Sequence, residues 1–297
     1  MTSNDAANPP RGEAAPVAAT MMNVALSVNH LLDRAGTLFA TNTIVSRRPD
    51  KSLVTHTYGD FRRRTRALAA ALRDLGLRRG ERVATLSWNH HAHLECYFGI
   101  PAVGGVMHTL NLRLSAEELG WIAHDAQDRF LVVDDVLLPL YRQFAAAHRF
   151  ERVIVVPYTG APVPDGFEDY EALLARSDGD ALVYAAHAED DPVAMCYTSG
   201  TTGRPKGVVY SHRSTVLHAL VGSLPDHWGL RSTDVVLPVT PMFHANCWGV
   251  PYGAVMLGVK LVFPIFFFIL PSMMVVAAGP GLLQVFKYLF PMMKQVH

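Results

Sequence analysis

Ten residues strung between two apolar runs constrain this chain more than any other part of it. Val193 to Tyr197 has the pattern of a strand. Thr198, Ser199, Gly200, Thr201, Thr202, Gly203, Arg204, Pro205, Lys206 and Gly207 follow directly, and Val208 to Tyr210 resumes a strand pattern. The ten residues hold four hydroxyls, three glycines and one lysine. Glycine lets a backbone approach a ligand closely and aim N–H groups at it, hydroxyls add donors, and lysine supplies a point charge. Such a loop is a polyphosphate cradle. The alternative, a flexible Gly/Ser/Thr linker, fits poorly with two flanking strands and the ending Pro205, Lys206, Gly207. A Walker loop is excluded, because there Gly-Lys is followed by Ser or Thr and opens a helix, whereas Lys206 leads into a strand.

The 26 basic and 26 acidic residues cancel, so no global field draws the chain to nucleic acid or to an anionic membrane surface. An anionic ligand must be held locally, and charge-assisted hydrogen bonds of roughly 1.5–3 kcal/mol each suffice for that when several converge. Cys96, Cys196 and Cys247 form no CxxC pair, which argues against a disulfide framework or a Cys-rich zinc site and suits a reducing, cytoplasmic compartment. Residues 1–21 are rich in Ala, Pro and small polar residues without a basic-then-apolar signal pattern, and read as a disordered leader.

Between leader and loop, strand-like and helix-like patterns alternate. Phe61 to Leu75 is a helix with Phe61, Leu68, Leu72 and Leu75 on one face and Gly76 as a left-handed stop. Arg62, Arg63, Arg64 and Arg66 are expected mostly on its wet side, as a solvated face rather than a nucleic-acid stripe. Val83 to Trp88 reads as a buried strand and Leu94 to Val106 as the next helix. Ser115 with Glu118 forms a capping box that opens a helix to about His124. Phe130 to Val133 and Val153 to Val156 are further strands, and Pro157 to Pro192 is expected to be irregular. The alternation predicts a layered α/β domain.

The segment Tyr197 to Gly207, continued by Val208 to Arg213, resembles the AMP-binding signature of the adenylate-forming superfamily. Pro241 to Gly249, with Phe243, His244 and Trp248, is similar to that family's following motif. Trp88 to Pro101 and Met107 to Leu114 resemble the branch acting on medium- and long-chain fatty acids, with related methylthio-propionate CoA ligases. The resemblance runs from about Met22 to about Pro264. It implies the α/β N-terminal domain of an acyl-adenylate-forming ligase, incomplete, with ATP, Mg²⁺ and coenzyme A as reaction partners and a fatty acid as substrate.

The resemblance further implies that Thr198, Ser199, Gly200, Thr201, Thr202, Gly203 and Lys206 wrap the β- and γ-phosphates, with Mg²⁺ bridging phosphate oxygens, and that Lys206 and His244 serve catalysis, His244 by orienting the carboxylate. Phe243 and Trp248 are either walls of the acyl pocket or plain core. His212 is either a hydrogen-bond partner behind the loop or a satisfied strand-end histidine, and the second reading is favoured. His90, His91 and His93, with Glu95 and Cys96 nearby, match no zinc spacing, so no metal ligands are assigned to the protein.

Motifs that full family members carry after this point, for adenine, ribose and the catalytic lysine of a small second domain, do not occur in the sequence. After Asp234 there is no acidic residue, and residues 265–297 form a hydrophobic tail unlike the family pattern. A frameshift, premature stop or misassembled gene is the expectation for this tail. A membrane anchor is the rival reading, since the uncharged run Leu261 to Phe286 exceeds the roughly 20 residues that span a bilayer, although Pro264, Pro271 and Pro280 interrupt it. The function expected is an ATP-dependent acyl-CoA ligase of low or no activity in this form, and the alternative is a non-catalytic nucleotide-binding or membrane-associated fragment.

Overall fold

The computed structural model describes residues 20–21, 23–198 and 204–264. Most of the expected leader, the whole hydrophobic tail 265–297 and Ser199 to Gly203 of the glycine loop lie outside the described residues. Along the chain the elements run α1 (Val28–Leu38), β1 (Thr43–Arg47), β2 (Leu53–Thr57), α2 (Tyr58–Asp74), β3 (Arg82–Leu86), α3 (His91–Ala102) and β4 (Val106–Thr109). Next come α4 (Ala116–Asp125), β5 (Asp128–Asp134), α5 (Leu138–Phe144), β6 (Arg152–Val156), β7 (Glu168–Asp169), α6 (Tyr170–Arg176) and β8 (Pro192–Thr198). The described chain closes with β9 (Lys206–Ser211), α7 (His212–Gly222), β10 (Val235–Val236), α8 (Val250–Leu257) and β11 (Lys260–Phe263).

Seven strands form one sheet in the order β7-β6-β5-β3-β4-β8-β9. All neighbours are parallel except β8 and β9, which form an antiparallel pair. Successive strand residues face opposite sides, and the core divides accordingly. Val83, Phe130 and Val132 pack with α2 and α3 on one side, whereas Ala84, Leu86, Leu131 and Val133 pack with Leu119, Ile122 and Phe144 of α4 and α5 on the other. Helices on both faces of a parallel sheet make the layered α/β domain expected from the alternation. A second, four-stranded sheet has the order β10-β11-β1-β2.

Local signals explain most boundaries. Thr57 caps α2 reciprocally with Asp60, so the helix starts three residues before the apolar pattern does, and Gly76 ends it at φ 88°. Ser115 and Glu118 make the capping box that opens α4. Two expectations need correction. The stretch Leu94 to Val106 is not one helix: α3 stops at Ala102, and Val106 begins β4. Gly104 turns the chain at φ 81°, and a Cβ on Gly105 would lie 2.9 Å from the Ile100 and Leu77 side chains, so the turn requires glycine at both positions. Nor is Pro157 to Pro192 wholly irregular, because Asp169 caps α6 and Tyr170, Leu173 and Leu174 bury its inner face.

The arginines of α2 are also more than a wet face. Arg63 is exposed, but Arg64 is held between Glu95 (2.6 Å) and Glu171 (2.7 Å). Arg62 pairs with Asp33, and Arg66 donates to the Gly179 and Leu182 carbonyls. These side chains knit α1, α3, α6 and the 177–184 segment onto α2. No helix among the described residues is long and apolar enough to cross a membrane.

Candidate functional site

The glycine loop joins β8 to β9 across the register pair Thr198↔Lys206. Because β8 is parallel to β4, Thr198 emerges at the same carboxyl edge of the sheet as Thr109, where open α/β sheets bind ligands. Thr198 and Lys206 are both exposed, and the Thr198 hydroxyl reaches the Lys206 carbonyl at 3.5 Å. Neither Lys206 nor Arg204 has a carboxylate partner among the described residues. Two uncompensated cations thus stand at the β9 end of the loop.

Its β8 end is tied down through Tyr197. The Tyr197 hydroxyl donates to Asp125 Oδ2 (2.6 Å), its ring meets Trp121 edge-on (centroids 6.3 Å), and His108 lies against it (5.2 Å). His108 is itself fixed by Asp128 at 2.8 Å in the interior.

Over the same sheet edge lies the segment 238–249. Asn89, just after β3, donates to the Pro238 and Thr240 carbonyls (3.1 and 3.0 Å) and accepts from the Met242 N–H (2.7 Å). That one amide fixes the chain leading into Phe243 and His244. Ala245, Asn246, Cys247, Trp248 and Gly249 then follow with φ between 46° and 72°. L-residues pay about 1–2 kcal/mol each for a left-handed helical turn, so contacts must hold it. Thr109 donates to Asn246 Oδ1 (3.1 Å), the Cys247 N–H to the His244 carbonyl (3.0 Å), and the Cys247 thiol to the Thr240 carbonyl (3.0 Å).

This turn separates two cavities. One, of about 10 Å³, is bounded by Thr109, Tyr197, Phe243 and His244 and has room for no more than a water-sized group. The other, of about 370 Å³, lies between α7 and the turn and is lined by Tyr210, Thr215, His218, Asn246, Trp248 and Tyr252. A volume in that range suits a small-molecule segment. The Tyr252 hydroxyl is buried without a hydrogen-bond partner among the described residues.

The structure therefore brings Thr198, Lys206, Phe243 and His244 to one edge, while Trp248 lines the larger cavity with Tyr210 and His218, and Ser199, Gly200, Thr201, Thr202 and Gly203 lie outside the described residues. His244 is exposed, and its imidazole has no hydrogen-bond partner among them. Phe243 is buried against Trp88. Trp248 is 70 % exposed, so it is not interior packing. Asn89, Asp125 and Asn246 help position the site and were not singled out from the sequence. Their signal was only that they sit inside or beside the recognised blocks.

The other histidines singled out from the sequence have structural partners. His212 lies at the Ser211 end of β9, opposite Lys206, where it accepts from the Val28 N–H (3.2 Å) and stacks on His187. Burial lowers its pKa to about 4. His90 bonds Asp134 (2.9 Å), His91 bonds Ser46, and His93 bonds Thr85 and the Trp88 carbonyl. The three point to different partners, and among the described residues no group of three or more His, Cys, Asp or Glu could hold a metal.

The chain is thus a layered α/β domain in which the ends of the glycine loop, a histidine-bearing turn and a cavity adjoin one sheet. The model of the AMP-binding enzyme family matches residues 37–276, and the chain belongs to that family. It is 43% identical over 245 residues to a long-chain-fatty-acid–CoA ligase of Thermus thermophilus, covering 82% of this chain and 44% of that protein. A medium-chain-fatty-acid–CoA ligase of Ectopseudomonas oleovorans is 36% identical, with 82% and 45% covered. The chain thus spans about half the length of the curated relatives it matches. Its fold is that of the crystal structure of an anthranilate CoA ligase in complex with anthranoyl-AMP, with a TM-score of 0.72 at 23% identity over 82% of this chain and 46% of that one.

Proposed function

We propose that this chain supplies the phosphate-binding and carboxylate-binding part of an ATP-dependent fatty-acid–CoA ligase. The reaction begins when a carboxylate oxygen attacks the α-phosphorus of ATP. Pyrophosphate leaves with the electron pair of the broken P–O bond, and the thiol of coenzyme A then displaces AMP from the acyl-adenylate. The observation that carries this reading is the juxtaposition, at one sheet edge, of Lys206 and the imidazole of His244, neither of which has a polar side-chain partner among the described residues, with the cavity beside Trp248 behind them.

In this reading Thr198 and Lys206, with Ser199, Gly200, Thr201, Thr202 and Gly203 of the same loop, hold the β- and γ-phosphates, where Lys206 offsets charge that builds on the leaving pyrophosphate. His244 orients the carboxylate. The acyl chain passes the left-handed turn into the cavity walled by Trp248, with Phe243 closing the carboxylate end. The donor set at the described ends of the loop is hydroxyl and cation rather than carboxylate, which suits polyphosphate directly; a Mg²⁺ ion would take its ligands chiefly from phosphate oxygens and water. Three buried, unpaired cysteines suit a reducing compartment such as the cytoplasm.

The test is pyrophosphate release by the purified chain with ATP, Mg²⁺ and a panel of short to long fatty acids, beside Lys206→Ala. Release that depends on the acid and falls by about 10²–10³-fold in the variant supports the reading. ATP binding without any release would reduce the protein to a nucleotide-binding one, and absence of both would refute the proposal.

A further inference from the structure

The larger cavity, between α7 and the left-handed turn, is walled by rings. Tyr210 of β9, His218 of α7, Trp248 of the turn and Tyr252 of α8 all border its space of about 370 Å³, and among the described residues no Leu, Ile, Val, Met or Phe joins them. Small residues open the room between the rings. Ala194 lies across the β8–β9 register from Tyr210, and Gly249 lies against His218, whose Nδ1 would be 2.6 Å from a Cβ there. Two of the walls are themselves backed by rings. Tyr252 leans on Tyr97 and Phe98 of α3, with centroids 5.4 and 5.3 Å apart, and His218 on Trp228 at 5.6 Å. Trp228 in turn fills the space over Gly222 and Gly253, where a Cβ would lie 2.8 and 2.9 Å from its indole. His218 and Tyr252 are therefore set by close packing before any ligand arrives.

We propose that the acid taken by this cavity is an aryl-substituted alkanoic acid rather than a plain alkyl one, and that the rings of Tyr210, His218 and Tyr252 set this preference. The inference rests on the reading of the cavity as the acyl site of an acid-activating reaction, and concerns only the chemistry of the acyl group. Burial of carbon by itself ranks acids by apolar area, which favours a saturated group over a phenyl ring. Aromatic walls add geometry to that. Because a ring has a negative face and a positive edge, an offset-stacked or edge-on aromatic neighbour is better held, by about two- to tenfold in binding for each ring it meets. A planar group also slots between walls that Ala194 and Gly249 hold apart, and it loses fewer rotors than a straight chain of the same carbon number. The turn stands between His244 and the cavity, with Ala245 bordering both sides, so a short methylene spacer is required between carboxylate and ring.

The experiment uses the full chain and three acids of equal carbon number: 3-phenylpropanoate, 3-cyclohexylpropanoate and nonanoate. Each is titrated by calorimetry, and pyrophosphate release with Mg·ATP is followed in parallel. The phenyl acid is expected to bind about tenfold tighter than the cyclohexyl acid, which matches it in rotors but has no π face, and tighter than nonanoate. Tyr210→Leu and His218→Leu should level or reverse the order of the two ring acids, whereas Tyr210→Phe should keep it. If a leucine variant does not fold, the ranking by the wild type and by Tyr210→Phe still decides. A wild type that prefers the cyclohexyl acid or nonanoate overturns the inference and leaves the acid-activating reading intact. An aryl preference unaltered in both leucine variants overturns the assignment to these rings. If no acid binds and none supports pyrophosphate release, the acyl-site reading fails and the inference with it; tight binding of the phenyl acid without release supports the ring preference and removes only the catalytic part of that reading.

Discussion

The Thr109 hydroxyl donates a 3.1 Å hydrogen bond to Asn246 Oδ1, which fastens the carboxyl end of β4 to a run of five left-handed residues. Asn246 sits at φ 51°, a region that asparagine tolerates better than most residues. Asn246→Ala loses both the bond and the tolerance, and should destabilise the protein by about 1–3 kcal/mol. Asn246→Gly loses only the bond and should cost less. Urea unfolding midpoints decide the matter, and equal, negligible losses in the two variants would show that the turn is not held this way.

A different kind of interaction secures α2. Glu95 has a fully buried side chain that accepts from Arg64 (2.6 Å) and from the Tyr170 hydroxyl (2.6 Å). Burial pushes its carboxyl up against the pull of Arg64, so the pair is costly to separate. Arg64→Met should destabilise by about 3–5 kcal/mol by leaving a lone buried carboxylate. Adding Glu95→Gln should restore much of that loss. A thermal melt in which the double variant is no better than the single one would rule out charge burial as the cause.

What was legible in the sequence follows from how local each signal is. Ser115 with Glu118, Gly76 after α2 and the strands around the glycine loop are all written within a few residues, and each stands where expected. The short strand and helix at 168–176 were hidden because the Pro, Gly and Asp around them dominate the pattern, although Asp169 followed by Tyr170, Leu173 and Leu174 is a capped amphipathic turn. The break of α3 at Gly104 lay inside an apolar run, where periodicity alone does not separate a helix from the strand that follows. At the site, Lys206 and His244 came from motifs. Their supports did not, because Asn89 acts on residues 238–242 and Asp125 on Tyr197, and pairings between such distant positions leave no trace in spacing.

Acid should unfold the protein through its buried histidines. Burial lowers His93 to about 4, and does the same for His212, whereas an unfolded histidine titrates near 6.5. Below about 6.5 the unfolded chain therefore binds protons that the folded chain refuses, so stability is whole above that pH and falls as pH drops toward about 4. His93, wholly enclosed, contributes on the order of 3 kcal/mol to that slope. His93→Gln should lower stability at pH 7.5 yet flatten the decline between pH 6.5 and 4.5. A decline of unchanged steepness in denaturant titrations across that range would assign it to other groups.

The last prediction concerns the outer face of α7. Leu217, Leu220 and Val221 recur at the spacing of a core-facing helical stripe, continued just past the helix end by Leu224, yet they are 45%, 47%, 48% and 51% exposed. Val209 on β9, at the open edge of the larger sheet, adds to this apolar surface. Among the described residues nothing covers it, and exposed apolar area of this kind drives association. The chain should therefore self-associate with rising concentration, and Leu217→Glu with Leu220→Lys should suppress this in light scattering. Substitution of exposed positions shifts stability by only about 0.5 kcal/mol, so the melting temperature of that variant should stay close to the wild type. A loss of several degrees would mean that in the whole chain the stripe is buried, and that its contribution is to folding rather than to association.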